Sequence, residues 1–213
     1  MKYRSVGIVV ALVLAAVGLL GVFGRTVSSF AHSSSEQSAG KTVEQKLLQG
    51  RHVFRFDTFG DQAFWGDTLK LHQAIEGARF GGVGPGVSPS TALAVGLKVD
   101  VDAVPPSVIH AMKNGEVSLN DPAVTLALLK LNSVVGVTGF FQSDGSLRSI
   151  GIQCALCHST VDNSLAPGIG HRLDGWANRD LNVGQIVALA PNLQPFTDLL
   201  GVDQATVRSV LQS

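Results

Sequence analysis

Sulfur is scarce in this chain. Its 213 residues hold two cysteines, Cys154 and Cys157, and two methionines, Met1 and Met112. No second cysteine pair exists, so a zinc site would have to draw its remaining ligands from histidines. An excess of charge of either sign is also missing, with 16 Lys and Arg against 16 Asp and Glu. That balance argues against a nucleic-acid partner and against a strongly charged partner surface, although a balanced total does not exclude local patches. There is no internal repeat. The glycine cluster Gly81-Gly82-Val83-Gly84-Pro85-Gly86 is not a nucleotide fingerprint, because no strand of a βαβ unit precedes it and the spacing differs. Asp57, Asp61, Asp162, Asp174 and Asp180 follow no metal-binding or catalytic spacing and read as caps, turn residues and solvated charges. Thr58, Ser159 and Thr160 lack the context of a nucleophile.

What the chain does have is one dense motif, Cys154-Ala155-Leu156-Cys157-His158, which takes both cysteines. C-x-x-C-H is the attachment signature of c-type haem. On one helical turn, side chains three apart point the same way. Two thiols at that spacing reach the two vinyl groups of one porphyrin, and His158 is then held against the ring face as the proximal iron ligand. Two other readings use the same residues. One is a thioredoxin-like redox pair, which expects a βαβ context and does not require the histidine. The other is half of a zinc site.

At the N-terminus, Lys2 and Arg4 precede an apolar run from Val6 to Phe23. A basic segment followed by such a run is an export signal. Ser29-Phe30-Ala31 offers small residues for cleavage after Ala31, so residues 1–31 read as a signal peptide. The run is also just long enough to span a bilayer, and an uncleaved membrane anchor over residues 6–23 is slightly preferred over the cleaved leader. Either reading places the rest of the chain outside the cytoplasm, periplasmic and soluble or anchored to the inner membrane. Residues 32–40 read as a flexible tether. Residues 41–135 read as a helical segment completing the pocket, and 136–213 as the haem-binding segment.

Along the body of the chain, Lys41 to Leu48 reads as a short amphipathic helix stopped at Gly50, with Val53 to Phe56 extended. Asp61 caps a helix from Gln62 to Glu76, with Trp65, Leu69, His72 and Ile75 on its apolar stripe. His72 there is either a core histidine or a haem contact. The 81–86 glycines form a tight loop whose backbone can approach another surface such as the porphyrin. Ser88-Pro89, Pro105-Pro106 and Asp121-Pro122 each start a helix. The third of these is apolar nearly all round and therefore buried. Val134 to Phe141 and Leu147 to Ile152, joined through Asp144-Gly145, read as a hairpin feeding the motif. Ser159 to Gly175 reads as an irregular loop. Asn182 to Ala190 and a last helix capped by Asp203 close the chain.

These residues resemble the bacterial periplasmic cytochrome c family. The resemblance rests on C-x-x-C-H, the following loop with Pro167, and the Pro195-Phe196 stretch before a closing helix, and it covers roughly the last third of the chain. It implies a mainly α fold: a cytochrome c-like haem domain with a small β-hairpin before the haem helix and extra N-terminal helices. It implies one covalent haem c, with Pro167 accepting a hydrogen bond from the His158 imidazole. It also implies a methionine as sixth iron ligand downstream of the motif, and none is there. The remaining candidates are His171 or His72, then an open position, then Met112 beside His110. The ending Leu211-Gln212-Ser213, at a helix end, reads as a truncated chain or a short relative of the family.

The expected function is electron transfer with redox partner proteins outside the cytoplasm. The alternative is a peroxidase-like or gas-binding haem protein with an open distal side, for which His171-Arg172 would offer an acid–base pair. A thiol or zinc protein without haem comes third.

Overall fold

The computed structural model describes the backbone of residues 33–213 and the side chains from residue 42 onward. The expected signal peptide or anchor lies outside the described residues. Among the described residues no helix is long and apolar enough to cross a membrane. The chain divides into two units, residues 1–45 and 46–213. Of the first unit, only the opening part of one helix is described.

That helix, α1, runs Ser33–Phe56, so it begins inside the stretch whose composition reads as a tether and passes straight through Gly50. A glycine weakens a helix without stopping it where nothing crowds it, and the space around Gly50 is open. The expected extended piece at Val53 to Phe56 is therefore the last turn of α1. Val43, Leu47 and Leu48, the apolar side of the expected amphipathic helix, are exposed.

The expected helix from Gln62 to Glu76 is broken in two. A π-helical turn covers Ala63–Thr68, Lys70 takes a left-handed conformation, and α2 covers Leu71–Glu76. The physical cause lies across the core. The Gly66 backbone sits so close to Ser149 that a Cβ there would lie 1.6 Å from the serine oxygen. The wider turn lets Gly66 dock, and the break at Lys70 turns both Leu69 and Leu71 inward. Asp61 caps nothing with its side chain. Its carboxylate accepts the Ile152 backbone N–H at 3.0 Å and the Trp65 indole N–H at 3.1 Å. Burial pushes this carboxyl above the usual range.

The three proline-marked starts form as expected. α3 (Pro89–Ala94) is capped by the Ser88 hydroxyl, α4 covers Pro106–Lys113, and α5 (Pro122–Lys130) is capped by the Asp121 carboxylate. α5 packs Thr125, Leu128 and Leu129 into the core. The glycine loop closes on its own neighbourhood, with Val83 N–H donating to Gln73 O and Ala78 N–H to Gly84 O. Those backbone contacts account for its tightness.

Three two-stranded sheets complete the unit. β1 (Val99–Asp100) pairs in parallel with β5 (Ile169–Gly170). β2 (Val137–Phe141) pairs antiparallel with β3 (Leu147–Ile152). β4 (Ser159–Val161) pairs antiparallel with β6 (Arg172–Asp174). The expected hairpin is thus present, with a register irregularity at Phe140/Phe141. The expected irregular loop after the motif is instead an arm with its own ladder. The motif turn itself is α6, Ala155–His158, and the chain closes with α7 (Val183–Ala188), α8 (Gln194–Leu200) and α9 (Gln204–Leu211). The whole is a mixed structure, about 48% helix and 13% strand, rather than a mainly α one. The β2–β3 hairpin precedes the motif in the chain and β4 follows it directly.

Candidate functional site

The motif is a single turn set between two strands. β3 ends at Ile152, Gln153 donates its N–H to Gly136 O, and the turn closes with His158 N–H on Cys154 O at 3.2 Å. Ala155 and Leu156 point into the core, at 0% and 5% exposure. Cys154, Cys157 and His158 are all exposed, and both thiols are free. Inward apolar residues alternate here with outward chemical ones, as a one-turn helix anchored on one face dictates. Gly136 makes the close seating feasible. It has φ +79°, and a Cβ on it would lie 2.2 Å from the Leu156 backbone.

The segment after β6 is sewn to this turn. Gly175 N–H donates to His158 O at 2.8 Å, and Asn178 N–H to Cys157 O at 3.0 Å. The Asn178 side-chain amide reaches Gly96 O at 2.9 Å and Leu156 O at 3.4 Å. Lys98, buried, extends its ammonium to Asp180 at 2.5 Å.

Beneath the turn lies a cluster of charge. Asp174, paired in register with Ser159, accepts the Ser159 hydroxyl at 3.0 Å and the Arg55 guanidinium at 2.7 Å. Arg51 stands 3.4 Å away, and Arg172, with a side chain only 3% exposed, stands 2.8 Å away on the other oxygen. Burial would raise the Asp174 carboxyl. The hydrogen bonds from Arg55 and Ser159, with the charges of Arg172 and Arg55, outweigh burial and hold it below the usual range. Arg51 and Arg55 stand four apart on α1, so the unbroken helix through Gly50 is what brings them here. Nothing in the sequence signalled this contact.

The other expected site residues are scattered. Pro167 is exposed in the turn between Ala166 and Ile169, and no hydrogen bond joins it to His158. His171 lies on the β4–β6 arm, where its carbonyl accepts Asp162 N–H. Gly175 lies four positions further on, about 13 Å of extended chain. Its exposed ring pairs through Nδ1 with Asp102 at 2.8 Å, and that carboxylate pushes the imidazole above its usual range. The parallel pairing of β1 with β5 brings the two near each other, since Asp102 lies two residues past the end of β1 and His171 directly follows β5. His72 is half-buried on α2 with Nδ1 unpartnered, and burial pushes it below its usual range. Met112 is packed against the core from α4, and His110 beside it is exposed. His171 and Arg172 face different surroundings, one toward Asp102 in solvent and one toward the half-buried Asp174, so they do not form one acid–base pair.

Among the described residues no group of three or more His, Cys, Asp and Glu side chains is gathered closely enough to hold a metal ion by itself. A c-type haem site needs only one protein donor at the iron, with the thiols directed to carbon, and the outward set of Cys154, Cys157 and His158 fits that demand. No protein-family model, curated protein or solved structure matches this chain.

Proposed function

We propose that this chain carries one covalent haem c on Cys154, Cys157 and His158 and serves in electron transfer outside the cytoplasm. The observation that carries the reading is the motif turn: all three chemical side chains lie outside, held by a buried Ala155 and Leu156. When bound, haem supplies a one-electron ferrous–ferric couple. Cys154 and Cys157 would hold the group through thioethers formed from its two vinyl groups, and His158 would supply an imidazole nitrogen to the iron. The backbone bonds from Gly175 and Asn178 fix the carbonyl ends of His158 and Cys157, so the turn does not need to rearrange on oxidation. Export by the basic and apolar leader, cleaved or retained as an anchor, brings the chain to the compartment where c-type attachment takes place. Its partners would be exported redox proteins.

A second reading is favoured by one observation. His171 is engaged with Asp102 and His72 is half-buried elsewhere, so neither is held out as a ready sixth ligand. An iron with an open distal position would bind carbon monoxide, nitric oxide or peroxide.

The test is an absorption spectrum of the protein matured in a periplasm competent for c-type attachment, oxidised, reduced, and reduced with carbon monoxide. Covalent haem with a low-spin spectrum indifferent to carbon monoxide supports the carrier. A high-spin spectrum that shifts with carbon monoxide supports the second reading. Absence of covalent haem overturns both.

A further inference from the structure

Trp176 is large, apolar and 66% exposed, yet it does not sit on a loose loop. The segment around it is pinned at Asp174 by Arg55 and Ser159, at Gly175 by His158 O, at Asn178 by Cys157 O and Gly96 O, and at Asp180 by Lys98. Two of those pins are the backbone carbonyls of the attachment turn itself. Apolar surface of this size gains by burial, so an exposed indole on a fastened segment is stabilised by a group that covers it. Here the ring is exposed on a segment whose neighbouring residues, Gly175 and Asn178, bond the carbonyls of His158 and Cys157, and the side chains of that turn's two cysteines and histidine are exposed as well.

We infer that Trp176 is a positioning residue that covers the attached porphyrin, packing its indole against the ring and shielding it from water. This rests on the attachment reading above. A ring joined by thioethers to Cys154 and Cys157 is confined to the surface next to their sulfurs, and the Gly175–Asn178 segment borders that surface through both of its backbone bonds. A tethered porphyrin therefore claims the space beside Trp176 ahead of any diffusing partner. Shielding disfavours the more highly charged ferric state, so the indole raises the reduction potential.

The experiment uses the full chain matured with haem, as wild type, Trp176→Ala and Trp176→Phe. The readouts are covalent haem content, circular dichroism in the Soret region, and midpoint potential. The expected result is that Trp176→Ala keeps its haem but shows a lower potential and an altered Soret signal, and that Trp176→Phe restores most of both. Unchanged potential and Soret signal in Trp176→Ala overturn the inference while leaving the attachment reading intact, even if that variant loses affinity for a redox protein. Wild type without covalent haem overturns the attachment reading and this inference with it. If Trp176→Ala does not accumulate, Trp176→Leu carries the same comparison.

Discussion

Gly136 and Asp174 each hold the C-x-x-C-H turn in place by a distinct physical means. At Gly136 the constraint is steric and conformational together, a positive φ with Leu156 pressed against it. Gly136→Ala is expected to destabilise the fold by about 1–3 kcal/mol, through overpacking and left-handed strain. Denaturant unfolding of the unliganded protein measures it. At Asp174 the constraint is electrostatic. Its carboxyl is held below the usual range when folded, so the stability it contributes is complete above the unfolded value near 3.9 and is lost as pH falls through the lower folded value. Asp61 and Asp100 are raised by burial and contribute the opposite slope over nearby pH values, so the useful measurement is a difference. Asp174→Asn is expected to cost about 3 kcal/mol at pH 7, because it strands a buried Arg172, and the gap from wild type should narrow as pH falls toward 3. Denaturation midpoints of both proteins from pH 7 to 3 check this.

At the scale of elements, the C-x-x-C-H turn is held by three stretches of chain: the β2–β3 hairpin before it, the β4–β6 arm after it, and the 96–98 segment linked through Asn178 and Asp180. Asn178 ties the 96–98 segment to the turn itself. Asn178→Ala is expected to lose about 1–3 kcal/mol by leaving Gly96 O and Leu156 O without their donor. It should also speed hydrogen exchange at the Asn178 amide, read by exchange mass spectrometry or NMR. The π-helical turn shows the same dependence on a distant element. Gly66→Ala drives a methyl into Ser149 on β3, and a fall in thermal midpoint with loss of the turn's exchange protection is expected.

At the scale of the whole unit, Leu156 joins the site to the core. It faces an apolar cavity of about 60 Å³ lined also by Val99, Leu128, Val137 and Ile150. A void of that kind stays dry and already weakens packing on its walls. Leu156→Ala enlarges it and is expected to cost about 2–5 kcal/mol, while leaving both thiols and the histidine outside. Denaturant unfolding gives the loss. Maturation with haem then tests whether attachment tolerates a loosened base.

Much of this architecture could be read along the chain because it depends on neighbours in sequence. Ser88, Asp121, Asn182 and Asp203 cap the helices that follow them, since a cap needs only a side-chain oxygen within three residues. The 137–152 hairpin follows from its turn and β-branched residues, and the chemistry open to Cys154, Cys157 and His158 follows from their spacing. What lay beyond sequence reasoning depends on partners far away in the chain. Gly66 forms a π turn because Ser149 lies against it, and α1 persists to Phe56, where Arg55 meets Asp174 across 119 positions. Residues 159–174 pair into an arm whose ladder carries no helical or alternating signal strong enough to announce it. His171 is drawn to Asp102 by the parallel pairing of strands two residues long. The sequence by itself determined the local turns, the caps and the reactive triad, because these are short-range. Only the tertiary structure decided that the triad faces outward on a buried anchor beside Trp176, because burial and exposure are properties of the packed chain.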